Sequence, residues 1–332
     1  VGVSAFEIDL FGRVRSLSEA ALNRYFATEA AARATRVTLV GDIAEAWLTY
    51  ASDASLLQIA RDTAANAEKS VTLTDARLKG GVAPRTDLRQ AQTVLTNAQA
   101  DVASLRAQLA QDVNALQLLL GAPVDPALLP ASIVEASGGL TAPPIGLSSA
   151  VLLSRPDVLQ AEFELRAANA EIGAARAALF PTISLTSTLG YASPSLSSLF
   201  SSGSFSYSVA PSVSYSIFQA GAARAGVESA RAQYDAALAA YERAIQAGFA
   251  ETANALARQG TIDEELAARE AGAEAALDSY QLTEARYRGG VDTFLTSLDA
   301  QRTLYTAERS RISIQLEAAV NRVALYRAIG VN

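Results

Sequence analysis

Carboxylates and guanidinium groups are the charged chemistry this sequence has to work with. It contains no His and no Cys, and Lys69 and Lys79 are its only lysines. Without His there is no imidazole base and no Ser-His-Asp triad; without Cys there is no thiolate nucleophile, disulfide or thiolate zinc site. What remains is charge placed by spacing. Leu295 and Asp299 are four residues apart and Arg302 follows three later, so a helix would put all three on one face. Read alone, this is ordinary leucine packing beside an exposed i,i+3 ion pair worth tenths of a kcal/mol. Tyr287, Arg288 and Asp292 flank the turn Gly289-Gly290-Val291, whose counterpart far upstream is Gly80-Gly81-Val82. Neither glycine pair carries the Lys-Ser/Thr of a phosphate-binding loop. The net charge of −7 over 332 residues argues against a nucleic-acid partner.

The elements that must hold these residues repeat at a constant offset of 209: Gly12 matches Gly221, Tyr25 matches Tyr234, and Ala76-Arg77-x-x-Gly80-Gly81-Val82 matches Ala285-Arg286-x-x-Gly289-Gly290-Val291. The register holds through Gly121 and Gly330, which implies a long unit of rigid geometry. Residues 12–79 and 220–288 are rich in Ala, Leu, Glu and Arg and contain no proline. Each predicts a helix of about 100 Å. Each ends at Gly-Gly, followed at once by a second helix over 83–120 or 292–329, with Pro84 in the first turn of the former. The stripe Leu88, Leu95, Val102, Leu109, Leu116, with Ala91, Ala98 and Leu105 beside it, has the seven-residue period of a left-handed supercoil. On these stripes alone a coiled-coil scaffold is an open reading.

Between the repeats, Pro123, Pro126, Pro130, Pro143 and Pro144, with Gly138, Gly139 and Gly146, break any long element. Pro156 opens a helix that runs to about Leu179, and Pro181 ends it. A strict alternation follows. Ile183, Leu185, Leu189 and Tyr191 oppose Thr182, Ser184, Thr186 and Thr188; after a loop at about 192–204, Phe205, Tyr207, Val209, Val213, Tyr215 and Ile217 oppose Ser206, Ser208, Ser212, Ser214 and Ser216. One apolar and one small polar face, on strands of this length, is the lipid-out, lumen-in pattern of a transmembrane β-barrel. Val1–Leu10 is expected to be a third strand, with Phe6 and Ile8 aligning to Tyr215 and Ile217. The helix and strand over 155–191 lack partners in repeat one, because the offset puts them before Val1. A complete protomer is therefore expected to carry a further helix and strand, hence four strands, and three copies would close a twelve-stranded barrel.

The stretches Phe6-Glu7-Ile8-Asp9-Leu10-Phe11-Gly12-Arg13, Asp87-Leu88-Arg89-Gln90-Ala91-Gln92, Arg155-Pro156-Asp157-Val158, Ala174-Ala175-Arg176-Ala177-Ala178-Leu179-Phe180-Pro181, Tyr287-Arg288-Gly289-Gly290-Val291-Asp292 and Leu298-Asp299-Ala300-Gln301-Arg302 resemble the outer-membrane efflux channel family typified by TolC and OprM, in its OprM/NodT-like branch. The resemblance implies a mostly helical fold with a transmembrane β part: a homotrimer whose helical hairpins form an α-barrel tunnel joined to the β-barrel. On that reading 1–11 is a transmembrane strand, 12–121 and 220–330 are periplasmic hairpins, 122–154 is an equatorial connector, 155–180 a tunnel helix and 181–219 a transmembrane hairpin. It implies a passive, non-enzymatic exit duct for multidrug efflux in the Gram-negative outer membrane, extending into the periplasm and contributing to antibiotic resistance. A protein-secretion duct of the same fold remains open. The partners implied are outer-membrane lipid, a periplasmic adaptor and an inner-membrane pump that supplies the energy. No cofactor or metal is implied, apart from a lipid on a cysteine outside this sequence. By the same resemblance Leu295, Asp299 and Arg302 form the periplasmic gate, and Tyr287, Arg288 and Asp292 lock it to its neighbour. The tips Gly80-Gly81-Val82 and Gly289-Gly290-Val291 meet the adaptor.

Overall fold

The computed structural model describes residues 2–141, 148–195, 197 and 199–330, with side chains from Phe6 onward. Val1, Pro143, Pro144, Gly146, Leu196 and Ser198 lie outside the described residues. The elements are β1 (Gly2–Glu7), α1 (Arg13–Lys79), α2 (Arg85–Leu120), a short α3 (Ile133–Ser137), α4 (Pro156–Ala177), β2 (Thr182–Tyr191), β3 (Phe205–Ser214), α5 (Ala222–Arg288) and α6 (Phe294–Ile329), with 3-10 turns at Pro126–Leu128 and Ser149–Ser154. Every boundary of α5 and α6 is that of α1 or α2 shifted by 209. Pro84 stands one residue outside α2, in extended conformation, and not in its first turn. No described helix is long and apolar enough to cross a membrane.

The first compact unit joins residues 1–34 to 149–249. Its sheet has the antiparallel order β1-β2-β3. In the β2–β3 register Ile183, Ser187, Leu189 and Tyr191 oppose Val213, Val209, Tyr207 and Phe205, while Ser184 and Thr188 oppose Ser212 and Ser208. The two polar pairs hydrogen-bond through their hydroxyls at 2.7 Å. The apolar face is bare: Tyr207 is 74% exposed and Val213 68%. β1 is shorter than its sequence suggested. Its register shifts between Ser4 and Phe6, and it ends at Glu7, where the chain turns into α1. There Glu7 pairs with Arg13 (2.9 Å to Nε) and the Asp9 carboxylate accepts the Arg15 N–H at 2.8 Å, capping the orphan donors of a helix start. Ile8 keeps one bond to the sheet, its N–H to the Ile183 carbonyl at 2.8 Å. β3 likewise stops at Ser214, before Tyr215 and Ile217. Phe11 stacks on Phe180 at 4.6 Å, and Arg24 pairs with Glu171 of α4. Arg155 is buried and bound twice by Asp157, at 3.0 and 2.7 Å.

The second unit comprises residues 35–148 and 250–332. Its core gathers Leu48 and Ala51 of α1, Ile133 and Ala136 of α3, and Ile312, Ala319 and Val323 of α6. α3 is pinned there by the Ile133 N–H donating to Ser55 Oγ at 2.9 Å. Along α2 only Ala91, Ala98 and Leu116 are buried, while Leu88, Leu95, Val102 and Leu109 are half-buried. Two of the three buried positions of this helix are therefore alanines, and Leu116 is the one member of the leucine stripe to be fully buried.

Both hairpins turn through the same motif. The Gly81 N–H donates to the Leu78 carbonyl and Val82 to Arg77; Gly290 donates to Tyr287 and Val291 to Arg286. This pair of bonds, with a left-handed residue between them, is the Schellman helix stop. Gly81 and Gly290 adopt φ +74° and +73°, where a Cβ costs about 1 kcal/mol. The neighbouring Gly289 has ordinary φ, and a Cβ there would meet only its own helix carbonyls at 3.5–3.6 Å. Gly290→Ala should therefore lower the thermal midpoint by a few degrees while Gly289→Ala leaves it near wild type; equal loss from both would refute this account of the turn.

Candidate functional site

The site is built at the hairpin tips of the second unit. The Schellman turn leaves Val82 73% and Val291 67% exposed, so each tip ends in an apolar knob. The two tips adjoin, since a Cβ on Gly290 would lie 3.7 Å from Arg77 Nη2. α6 starts two residues beyond the second tip, capped by Thr293, whose Oγ1 accepts the Thr296 N–H. Its helical period puts Phe294 and Leu298 inward, where they pack with Tyr287 and Ala91. The same period turns Leu295, 53% exposed, outward. Asp299 and Arg302 join it on the open side, 3.8 Å apart and each more than 60% exposed. The three predicted gate residues thus share one uncovered face.

The three predicted lock residues are not brought together. Tyr287 is buried in the Phe294–Leu298–Ala91 cluster, with its ring 5.4 Å from that of Phe294. Arg288 pairs with Glu284 on its own helix. Asp292 accepts both Nε and Nη2 of Arg286, at 2.6 and 2.9 Å, and these bonds hold its carboxyl below the usual range. One residue of this site was missed in the sequence. Arg77, from the first hairpin, donates Nη1 to the Tyr287 carbonyl at 3.0 Å and lies 4.7 Å over the Tyr287 ring. The duplication holds the signal for it: Arg77 aligns with Arg286, but Asp292 aligns with Ala83. Lacking the local acid, Arg77 reaches across to the other hairpin. The Tyr287 hydroxyl is itself buried with no hydrogen-bond partner among the described residues. No group of three or more metal-ligating side chains occurs among them either.

A second titratable pair was not foreseen. The carboxyls of Asp53 on α1 and Asp112 on α2 act on each other: burial first, then the charge of Asp53, pushes Asp112 up to about 6, and Asp112 Oδ2 is buried with no hydrogen-bond partner among the described residues.

Paired helices of 67 and 36 residues, combined with a small antiparallel sheet whose apolar face is bare, define a subunit of an outer-membrane channel of the helical-tunnel type. The family model described as outer membrane efflux protein matches residues 1–122 and 147–331, and the chain belongs to that family. It is 43% identical over 328 residues to the solvent efflux pump outer membrane protein SrpC of Pseudomonas putida, spanning 99% of this chain and 70% of that protein. It is 41% identical over 325 residues to the outer membrane protein OprJ of Pseudomonas aeruginosa, across 98% of this chain and 68% of that one. Among solved structures, the open state of the Neisseria gonorrhoeae MtrE outer membrane channel superposes with a TM-score of 0.88 at 37% identity, covering 99% of this chain and 74% of that chain. The protein is an outer-membrane efflux channel component, with the mostly helical tunnel-and-barrel fold of its family.

The Asp53–Asp112 pair lies far along the helices from the tips and gives a pH test of the second unit. An acid whose folded pKa lies above its unfolded value favours folding below that unfolded value and loses the contribution as pH rises through the folded pKa. Stability should therefore fall between the ordinary value of 3.8 and about 6. Asp112→Asn should remove that slope, so its thermal midpoint gains on wild type as pH rises from about 4 to about 7. A difference that stays constant over that range would contradict the raised Asp112.

Proposed function

We propose that three copies of this protein form the exit duct of a tripartite efflux system, closed at rest by the face that carries Leu295, Asp299 and Arg302. The observation that carries the reading is the exposure of this face beside the tips. A leucine 53% exposed and a loosely paired, open Asp299–Arg302 couple are poorly satisfied within one chain. Around a threefold axis they become a ring of leucines beside a ring of carboxylates, each relieved by an arginine. Like charges gathered at a constriction favour cation binding or partial protonation.

The lock reading draws on three features of Tyr287: its burial, its unpartnered hydroxyl and the Arg77 guanidinium stacked on it. A hydroxyl buried without a partner invites one, and a neighbouring hairpin supplies it. Arg288 and Asp292, tied locally at rest, are the charges that exchange partners when the hairpin swings outward. The exposed Val82 and Val291 knobs at Gly80-Gly81 and Gly289-Gly290 suit an adaptor's helical hairpin, and docking there biases a two-state opening. Among the described residues the sheet has two open edges, which the protomer's further strand and strands of other copies cover within lipid, giving twelve strands at four per complete protomer. Its polar face of Ser and Thr, already hydrogen-bonded pairwise, offers no filter, so selection rests with the inner-membrane pump. Relatives named for solvent, toluene and antibiotic efflux support small apolar molecules and drugs as cargo. A lipid anchor, in this reading, sits on a cysteine outside the given sequence.

The test is electrical. The protein purified in detergent should run as a trimer and conduct weakly in planar bilayers. Leu295→Ala and Asp299→Ala should each raise the resting conductance several-fold. Unchanged conductance in both at matched pH would refute the gate.

A further inference from the structure

The gate segment of α6 is attached to the first hairpin at two places and stands free between them. At the tip the hold is the cluster of Tyr287, Phe294 and Leu298 against Ala91. Farther along, the Tyr305 hydroxyl donates to Asp101 Oδ2 of α2 at 2.7 Å. Between these holds lies an open cleft of about 380 Å³ lined by Val94, Asn97, Ala98, Gln301 and Arg302. A smaller one of about 90 Å³ lies against Ser104, Leu105, Gln108 and Arg309, and the Tyr305–Asp101 pair lines both. Side chains do not fill the space between α2 and α6 here; this hydrogen bond bridges it.

Three further features make it a persistent link. The Arg309 guanidinium lies 5.5 Å over the Tyr305 ring and steadies it. Burial and the adjoining Asp101 push the Tyr305 hydroxyl up to about 12, so it stays a donor across the physiological range. The link is also unique within the duplication. At the offset of 209, Tyr305 corresponds to Thr96 and Asp101 to Ser310, so this tie has no counterpart in the other half of the duplication and is no part of the repeated packing.

We propose that the Tyr305–Asp101 hydrogen bond is the fixed point at which α6 stays attached to α2 while residues 294–302 swing, so that this pair sets the resting position of the gate. The proposal rests on the gate reading above. Asp299 lies six residues from Tyr305, about 9 Å along the helix, so a small rotation about the tie, with the open cleft as room to move, shifts the carboxylate by a few ångströms. Both are positioning residues, acting on the gate through the helix that carries it.

The full chain, reconstituted in planar bilayers, tests this with three variants whose trimeric state and thermal midpoint are checked first. Losing a hydrogen bond to a charged group should raise the open frequency at rest by about tenfold in Tyr305→Phe and in Asp101→Ala. Asp101→Asn, whose amide oxygen still accepts the hydroxyl, should stay within about twofold of wild type. Should Asp101→Ala fail to assemble, Tyr305→Phe, which removes one oxygen atom, carries the test. Tyr305→Phe at wild-type frequency, or Asp101→Asn as leaky as Tyr305→Phe, overturns the proposal. If Leu295→Ala and Asp299→Ala open the channel while Tyr305→Phe does not, only the tie is wrong. If none of them opens it, the gate reading fails and the tie falls with it.

Discussion

A single left-handed glycine turns each pair of long helices, and no slack exists at the turn. Gly81 and Gly290 place two backbone bonds across the helix end, and the returning helix starts within four residues of each. An added residue there would rotate the returning helix by about 100° and carry its buried face away from its partner. Every contact between the hairpins inherits this register: Arg77 on Tyr287, Ala91 against Phe294, Tyr305 on Asp101. The constant offset of 209 is the sequence's record of that constraint.

Within the fixed frame the two repeats diverge where function lies. Arg77 and Arg286 occupy equivalent positions, yet one reaches across hairpins and the other closes on its own turn. The difference traces to one acid, Asp292 against Ala83. An arginine with a carboxylate six residues away satisfies itself locally; one without it spends its donors on a carbonyl and an aromatic face elsewhere.

The sheet follows a different economy. Two hydroxyl pairs on its polar face, Ser184–Ser212 and Thr188–Ser208, bond across the strands, while Tyr207, Val209 and Val213 on the apolar face stay bare. Alternation exposed both faces in the sequence, but not the strand ends. β1 closes at Glu7 because Glu7 and Asp9 are drawn to the start of α1, and a tie six residues away leaves no trace in a period of two.

Local periodicity and turn chemistry determined the helices, their lengths, the hairpin turns and the two faces of the strands, since each depends on neighbours within a few residues. They also put Leu295, Asp299 and Arg302 on one face. Only the tertiary structure decided that Tyr287 is buried, that Arg77 reaches it, that Asp53 meets Asp112 and that Tyr305 holds Asp101. The reason is geometric. Which side chains meet across tens to about two hundred residues depends on how far each helix is rotated and how closely alanine lets it approach, and no local pattern encodes either.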